Sequence, residues 1–266
     1  MEPRTFDIAG ELHLDVRLRS GAVRITGTDE ATATVSVTGE RGPDEVAITC
    51  EASDELTRID IEQHRGAWGF GRRDLLVEVA LPEASRADIA TGTGDLATHG
   101  VLRSLEFRSG SGEASIDRVA GHARTKTASG DVRIGTVEGD LTVTTASGDI
   151  EVGTVGGAFE ARTASGDVTI DEAMGTARAM SASGDLSIRS AHGDLSLRSV
   201  SGDIDVGVSA GTRVWFDASS TSGDAVSELD PHDGGADDVA AFEIRAASVS
   251  GDIRIRRAAT GVRSSI

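Results

Sequence analysis

Five aspartates recur at an interval of eighteen residues, each directly after a Ser-Gly pair: Asp131, Asp149, Asp167, Asp185 and Asp203. Carboxylates stacked on neighbouring strands would repel each other by about 1 kcal/mol per pair in water, and bound calcium would relieve that repulsion. Alternatively, each aspartate bonds backbone amides of its own turn, a task that asparagine often performs. Because this chain has no asparagine, we expect the structural role. A calcium-binding β-roll is the alternative.

Paired hydroxyl residues precede four of these turns: Thr145/Ser147, Thr163/Ser165, Ser181/Ser183 and Ser199/Ser201. Regular threonine ladders on a flat solenoid can bind ice. Here the serines and the charged aspartate column interrupt any flat array of methyl groups. The pattern therefore indicates hydroxyls that stabilise turns at the same edge.

The segment 63–73 concentrates rare aromatic residues and cations on an acidic chain. It contains Trp68, Phe70, Arg72 and Arg73, and exposed tryptophan and arginine are preferred anchors of protein interfaces. These four residues are the predicted interaction site. The competing interpretation is a hairpin whose Trp68 folds back to plug the end of the fold.

The histidines and the cysteine do not suggest a site. The six histidines are scattered, and Cys50 is the only cysteine, so neither a disulfide nor a thiolate metal site is predicted. The sequence has no phosphate-binding loop. We therefore predict no catalytic residue, no cofactor and no enzymatic activity.

The charge balance limits the partners. The chain of 266 residues has 44 Asp and Glu against 26 Lys and Arg, a formal net charge of −18, which opposes binding to nucleic acid or to anionic membranes. We expect a protein partner and favour a monomer. Neither a leader peptide nor an apolar run long enough to span a membrane is visible, so the expected location is the cytoplasm.

A strict internal repeat must position all of these residues. Twelve glycines follow one another in nine-residue steps, at 112, 121, 130, 139, 148, 157, 166, 175, 184, 193, 202 and 211. Ser-Gly-Asp stands at every second step, so the true period is eighteen residues. Each period therefore consists of two similar but not identical halves.

Apolar residues stand two and four places after each glycine, as in Val132/Ile134, Val168/Ile170 and Leu195/Leu197, with a polar residue between. This alternation is typical of a short strand with one buried face. A third inward residue is expected two places before the glycine: Ala128, Val137, Ala146, Val155, Ala164, Ala182 and Val200. The predicted fold is an all-β, single-stranded parallel β-helix with two strands per coil of about eighteen residues, wound right-handed.

The irregular flanks are predicted to cap this solenoid, because an uncovered strand edge promotes aggregation. Residues 1–90 form a β-rich N-terminal cap continuous with the coils. Residues 91–257 form the solenoid, with looser C-terminal coils and an acidic loop at 228–238. Residues 258–266 are a tail.

The repeats, preceded by Leu75–Pro82 and closed by Val249–Ile255, resemble a bacterial family of β-strand-repeat proteins of unknown function, labelled as candidate adhesins. The resemblance covers nearly the whole chain and is strongest over 75–257. It implies a β-helix and an adhesin-like binding role. It supplies no catalytic motif, so it assigns no chemistry to any residue.

Overall fold

The computed structural model describes residues 3–39, 46–64, 75–209, 212–229 and 241–258. Every regular element in these ranges is a β-strand, which confirms the all-β solenoid prediction. None of the described residues belongs to a helix long and apolar enough to cross a membrane. The chain divides into two compact units, Met1–Gly148 (unit 1) and Asp149–Ile266 (unit 2). The predicted division into a cap, a solenoid and a tail remains a prediction.

The described residues of unit 1 form thirteen strands. They are β1 (Arg4–Asp7), β2 (Glu11–Ser20), β3 (Ala22–Thr28), β4 (Thr32–Thr38), β5 (Val46–Ala52), β6 (Leu56–Gln63), β7 (Leu76–Pro82), β8 (Ser85–Thr93), β9 (Leu96–Ser111), β10 (Ala114–Val119), β11 (Ala123–Ser129), β12 (Val132–Val137) and β13 (Leu141–Thr144).

These strands form two series of neighbours. One series runs β5, β6, β2, β8, the second half of β9, β11 and β13. The other runs β1, β4, β7, β3, the first half of β9, β10 and β12. Most pairs are parallel, but β1, β4 and β5 pair antiparallel. Strands β2 and β3 are therefore inserted between coils that follow them in sequence.

Eleven strands lie in the part of unit 2 that the structure describes. They are β14 (Ile150–Val155), β15 (Phe159–Ser165), β16 (Val168–Ala173), β17 (Ala177–Ser183), β18 (Leu186–Ala191), β19 (Leu195–Ser201), β20 (Ile204–Val208), β21 (Arg213–Ser220), β22 (Ala225–Ser227), β23 (Ala241–Ser250) and β24 (Ile253–Arg257).

The parallel series of unit 2 also contain an insertion. One series runs β14, β16, β18, β20, β24, β22, and the other runs β15, β17, β19, β23, β21. The last coil in sequence, β23 and β24, thus lies between β19/β20 and β21/β22. Strands β21 and β22 are outermost, with one described neighbour each.

The core of each unit is a stack of equivalent aliphatic side chains. In unit 2, Ile150 pairs with Val168, which pairs with Leu186, which pairs with Ile204. All four side chains are at most 1% exposed. Equivalent residues on neighbouring strands lie about 4.8 Å apart, so one branched side chain covers the next along the stack. The predicted inward positions two and four residues after the glycines are correct.

The third inward position was predicted correctly for only one half-repeat. Val137 and Val155 are fully buried, but the residues before the Ser-Gly-Asp turns are exposed: Ala128, Ala146, Ala164, Ala182 and Val200. Hydroxyl residues occupy the interior there instead: Thr127, Thr145, Thr163, Ser181 and Ser199.

Strand geometry explains this difference. The strand Ala177–Ser183 alternates strictly, so Ala177, Ala179 and Ser181 all point inwards. In the other half-repeat two successive residues face outwards, so Ile170 is followed by Ala173 as the next inward residue. Alanine is small enough for either side, and its apolar character alone does not fix its direction.

Candidate functional site

The aspartate carboxylates join successive coils. Oδ1 of Asp167 accepts a hydrogen bond from the backbone N–H of Asp185 at 2.8 Å, and Oδ1 of Asp185 accepts one from Asp203 at 2.8 Å. The same bond joins Asp149 to Asp167 (2.9 Å), Asp203 to Asp252 (2.8 Å), Asp252 to Asp224 (2.9 Å) and, in unit 1, Asp95 to Glu113 (2.9 Å). The expectation of a partner within the same turn is therefore wrong, because the amide belongs to a neighbouring coil.

The fifth predicted aspartate, Asp131, has Oδ2 3.4 Å from Nη2 of Arg133 on the same strand edge. Among the described residues there is no group of three or more His, Cys, Asp or Glu side chains placed to hold a metal ion. An amide N–H provides part of the positive charge that a stacked carboxylate needs. The observed bonds therefore favour a structural role for the aspartate column, and calcium binding stays a prediction.

Asp185 provides a direct test of this role. Asp185→Asn should retain the wild-type free energy of unfolding, because an amide Oδ1 accepts the same N–H and one charge leaves the column. Asp185→Ala should lower it by about 1 kcal/mol, because the N–H of Asp203 loses its partner. Urea unfolding followed by circular dichroism measures both variants. Equal losses for the two variants would contradict the hydrogen-bonded ladder.

The two members of each hydroxyl pair lie on opposite sides of the strand. The second member of each pair is exposed, whereas the first is buried: Thr145, Thr163, Ser181 and Ser199. Ser199 donates to the carbonyl of Gly184 at 3.3 Å. The hydroxyls of Thr145, Thr163 and Ser181 are buried without a described partner. These residues line the interior rather than a ligand-binding surface.

The outer surface of unit 1 carries a shallow groove, here called the basic groove. Its wall is one column of equivalent residues on five successive strands: Arg17, Ala90, Arg108, Lys126 and Thr144. The groove encloses about 530 Å³. Leu18, Thr91 and Thr127 lie along its floor, and all three are largely buried. Three cations thus surround a partly apolar floor on a strongly acidic protein.

Acidic residues on the same strands orient two of these cations. Nη2 of Arg17 lies 2.8 Å from Oδ2 of Asp15, and Nη2 of Arg108 bonds Oε1 of Glu106. Each pair uses only part of the guanidinium, which has five N–H donors. Lys126 differs from the two arginines, because within the described ranges no ion-pair partner faces its ammonium group. It is also the only lysine of the chain.

A second arginine fixes the position of Asp15. Nη2 of Arg58 lies 3.0 Å from Oδ2 of Asp15, whose side chain is largely buried, and Nε of Arg58 lies 3.0 Å from Oδ1 of Asp60. The hydrogen bond to Asp60 and the negative charge of that carboxylate raise the pKa of Arg58. Arg17 therefore stands beside an acidic residue that is shared between two cations, which limits the neutralisation of the groove.

The groove continues towards the end of β6. A neighbouring depression is lined by Arg17, Leu18, Arg19, Glu62 and Gln63. Oε1 of the buried Gln63 accepts the backbone N–H of Arg19 at 2.8 Å, which anchors the end of β6 there. The chain thus leaves β6 beside the groove. The predicted interaction residues Trp68, Phe70, Arg72 and Arg73 lie outside the described residues, so their role remains a prediction.

Sequence reasoning missed the basic groove. Arg108 and Lys126 are eighteen residues apart, so the repeat alone could have placed them on neighbouring strands. Arg17 is different, because it reaches the same column only through the insertion of β2 beside β8. No periodic signal in the sequence indicates that insertion.

The family model for Toastrack DUF4097 matches residues 12–257. The chain belongs to the Toastrack DUF4097 family. This membership spans strands of both units and agrees with the resemblance found in the sequence. No curated protein matches the chain.

Three solved structures are similar to this Toastrack chain at low sequence identity. A candidate adhesin from Bacteroides fragilis is 14% identical, with 96% of this chain and 95% of that chain covered and a TM-score of 0.48. A candidate lipid binding protein from Parabacteroides distasonis is 16% identical, with 96% of each chain covered and a TM-score of 0.47. A candidate cell adhesion protein from Clostridium sporogenes is 12% identical, with 96% and 99% covered and a TM-score of 0.27.

Proposed function

We propose that this protein is a non-catalytic, adhesin-like scaffold that binds a protein partner through the basic groove of unit 1. The observation that carries the proposal is the column of Arg17, Arg108 and Lys126 around a partly apolar floor. The groove fits a partner segment that presents carboxylates beside an apolar side chain. Its charges would attract such a segment despite the acidic character of the whole chain.

The non-catalytic part of the proposal is supported by the roles of the repeated polar residues. The aspartates of unit 2 accept backbone N–H groups of neighbouring coils. The hydroxyls that precede the turns are buried in the interior. The repeated residues thus stabilise the scaffold, and the cations of the groove lie on its surface. The segment 63–73, with Trp68 and Arg72, is proposed to extend the same contact surface.

Charge reversal of the groove tests this function. Arg108→Glu/Lys126→Glu should abolish capture of the partner from a lysate of the native host, because two attractive charges become repulsive. The matched control is Arg178→Glu/Arg198→Glu, which makes the same change in net charge at two exposed arginines of unit 2. Quantitative mass spectrometry of the captured proteins, with the melting temperature of each variant, gives the readout.

The expected result is a protein that wild type and control retain and the groove variant loses. Because exposed charges are screened by salt, retention by the wild type should also fall as ionic strength rises. A partner held equally by the groove variant would contradict the assignment to this groove. The same experiment on Trp68→Ala/Arg72→Ala tests whether the segment 63–73 belongs to the surface.

A further inference from the structure

Among the described strands, β21 is an open edge of unit 2. It pairs with β23 from Arg213↔Ala241 to Ser220↔Ser248, and no other described strand pairs with it. In a strand with one neighbour, every second backbone N–H and C=O points away from the sheet. The eight residues of β21 therefore present a row of backbone groups that another strand can bond.

The side chains of this edge are unusually apolar for an exposed strand. Trp215 is 72% exposed and Phe216 is 50% exposed. Natural edge strands are commonly protected by proline, by a bulge or by an inward-pointing charge, and β21 has none of these. Its inward series is Val214, Phe216 and Ala218. Strand β21 is thus an apolar edge strand whose only described neighbour is β23.

The sequence of β21 is complementary to itself in antiparallel orientation. With two copies centred on Trp215, Arg213 of one copy lies opposite Asp217 of the other, and Val214 lies opposite Phe216. Residues directly opposite share a face of the sheet, so odd shifts of register would place inward residues against outward ones. Among the even shifts, only this register brings Arg213 and Asp217 together.

From this complementarity we propose that the occupant of the β21 edge is a second copy of the chain. The two copies pair β21 with β21 about a two-fold axis through Trp215, which is an isologous interface. Each dimer contains two Arg213–Asp217 pairs on the outer face, and the two Trp215 side chains meet between them. This assembly uses unit 2, is independent of the groove in unit 1 and departs from the monomer that the sequence favoured.

Charge exchange tests the dimer. Arg213→Asp and Asp217→Arg each place like charges opposite one another twice, whereas Arg213→Asp/Asp217→Arg restores two opposite-charge pairs. Sedimentation equilibrium over a range of protein concentrations measures the dissociation constant. The dissociation constant of each single variant should be at least about tenfold higher than that of wild type. The double variant should recover dimerisation.

A separate control distinguishes loss of the dimer from loss of folding. Asp217 lies opposite Arg245 on β23, so its replacement by arginine also adds a repulsion within the chain. Circular dichroism melting of every variant checks this, and Trp215→Ala gives a second way to weaken the dimer without altering charge. A wild type that stays monomeric at all concentrations would overturn the proposal, as would single variants that dimerise normally or a double variant that stays monomeric while folded.

Discussion

Gly184→Ala should strongly destabilise the stacked repeat turns of unit 2. Gly184 has φ of +148°, a conformation that L-residues with a side chain rarely adopt. A Cβ at this position would lie 2.2 Å from the carbonyl oxygen of Gly166 in the preceding coil. Relief of that overlap requires these two coils to separate, which would weaken the bond from the N–H of Gly166 to the carbonyl of Ser183.

The expected loss in the free energy of unfolding is roughly 3 kcal/mol or more, because backbone strain and steric overlap add. The matched control is Ser183→Ala, which changes the exposed neighbour of Gly184 in the same turn and should stay within about 0.5 kcal/mol of wild type. Urea unfolding followed by circular dichroism measures both. A loss below about 1 kcal/mol for Gly184→Ala would show that the close stacking of the turns is wrong.

Leu197→Asp should prevent unit 2 from folding. The side chain of Leu197 is fully buried between Ala179 and Ala246 on the neighbouring strands. A carboxylate there would be enclosed by aliphatic side chains with no cation to pair with, and burial of an unpaired charge costs several kcal/mol. Solubility on expression and circular dichroism provide the readout.

The control differs by one position. Ser196 faces outwards between Arg178 and Arg245 on the two neighbouring strands, so Ser196→Asp gains two opposite-charge neighbours. Each cross-strand pair of this kind contributes about 0.2–1 kcal/mol. Ser196→Asp should therefore be as stable as wild type or slightly more stable. Similar behaviour of the two variants would mean that the inward and outward sides of β19 are exchanged.

The sequence was sufficient for the repeat itself. The eighteen-residue period correctly pairs Ile116 with Ile134 and Val168 with Leu186, because strand register in a solenoid follows directly from the spacing of equivalent residues. The role of the repeated glycines could be predicted for the same reason. Stacked turns at the β-sheet spacing leave no room for a Cβ, so the chain repeats glycine wherever the backbone approaches itself.

Features that depend on non-periodic pairing were not predictable. The insertion of β2 beside β8 and of β23 beside β19 joins segments far apart in sequence, and nothing in their local pattern selects those neighbours. The amide partner of each aspartate was missed because a carboxylate at a turn can reach its own backbone or that of the next coil. Only the three-dimensional stack decides between them.

The same limit applies to the basic groove. Arg108 and Lys126 follow the period, but Arg17 completes the column from an inserted strand. A charge cluster formed by non-local pairing has no contiguous sequence signature. By contrast, the predicted contact segment 63–73 rests on composition alone, since tryptophan and phenylalanine are scarce in this chain.

Cross-linking at Lys126 tests the proposed function most directly. Because Lys126 is the only lysine, an amine-reactive cross-linker added to a native-host lysate can join a side chain of this protein to its partner only at the groove. Peptide mass spectrometry distinguishes that product from one formed at the N-terminal amine. We predict cross-links from the Lys126 peptide to one protein, lost in Arg108→Glu and retained in Arg178→Glu/Arg198→Glu. Cross-links confined to the N-terminal amine, or unaffected by Arg108→Glu, would contradict binding at the groove.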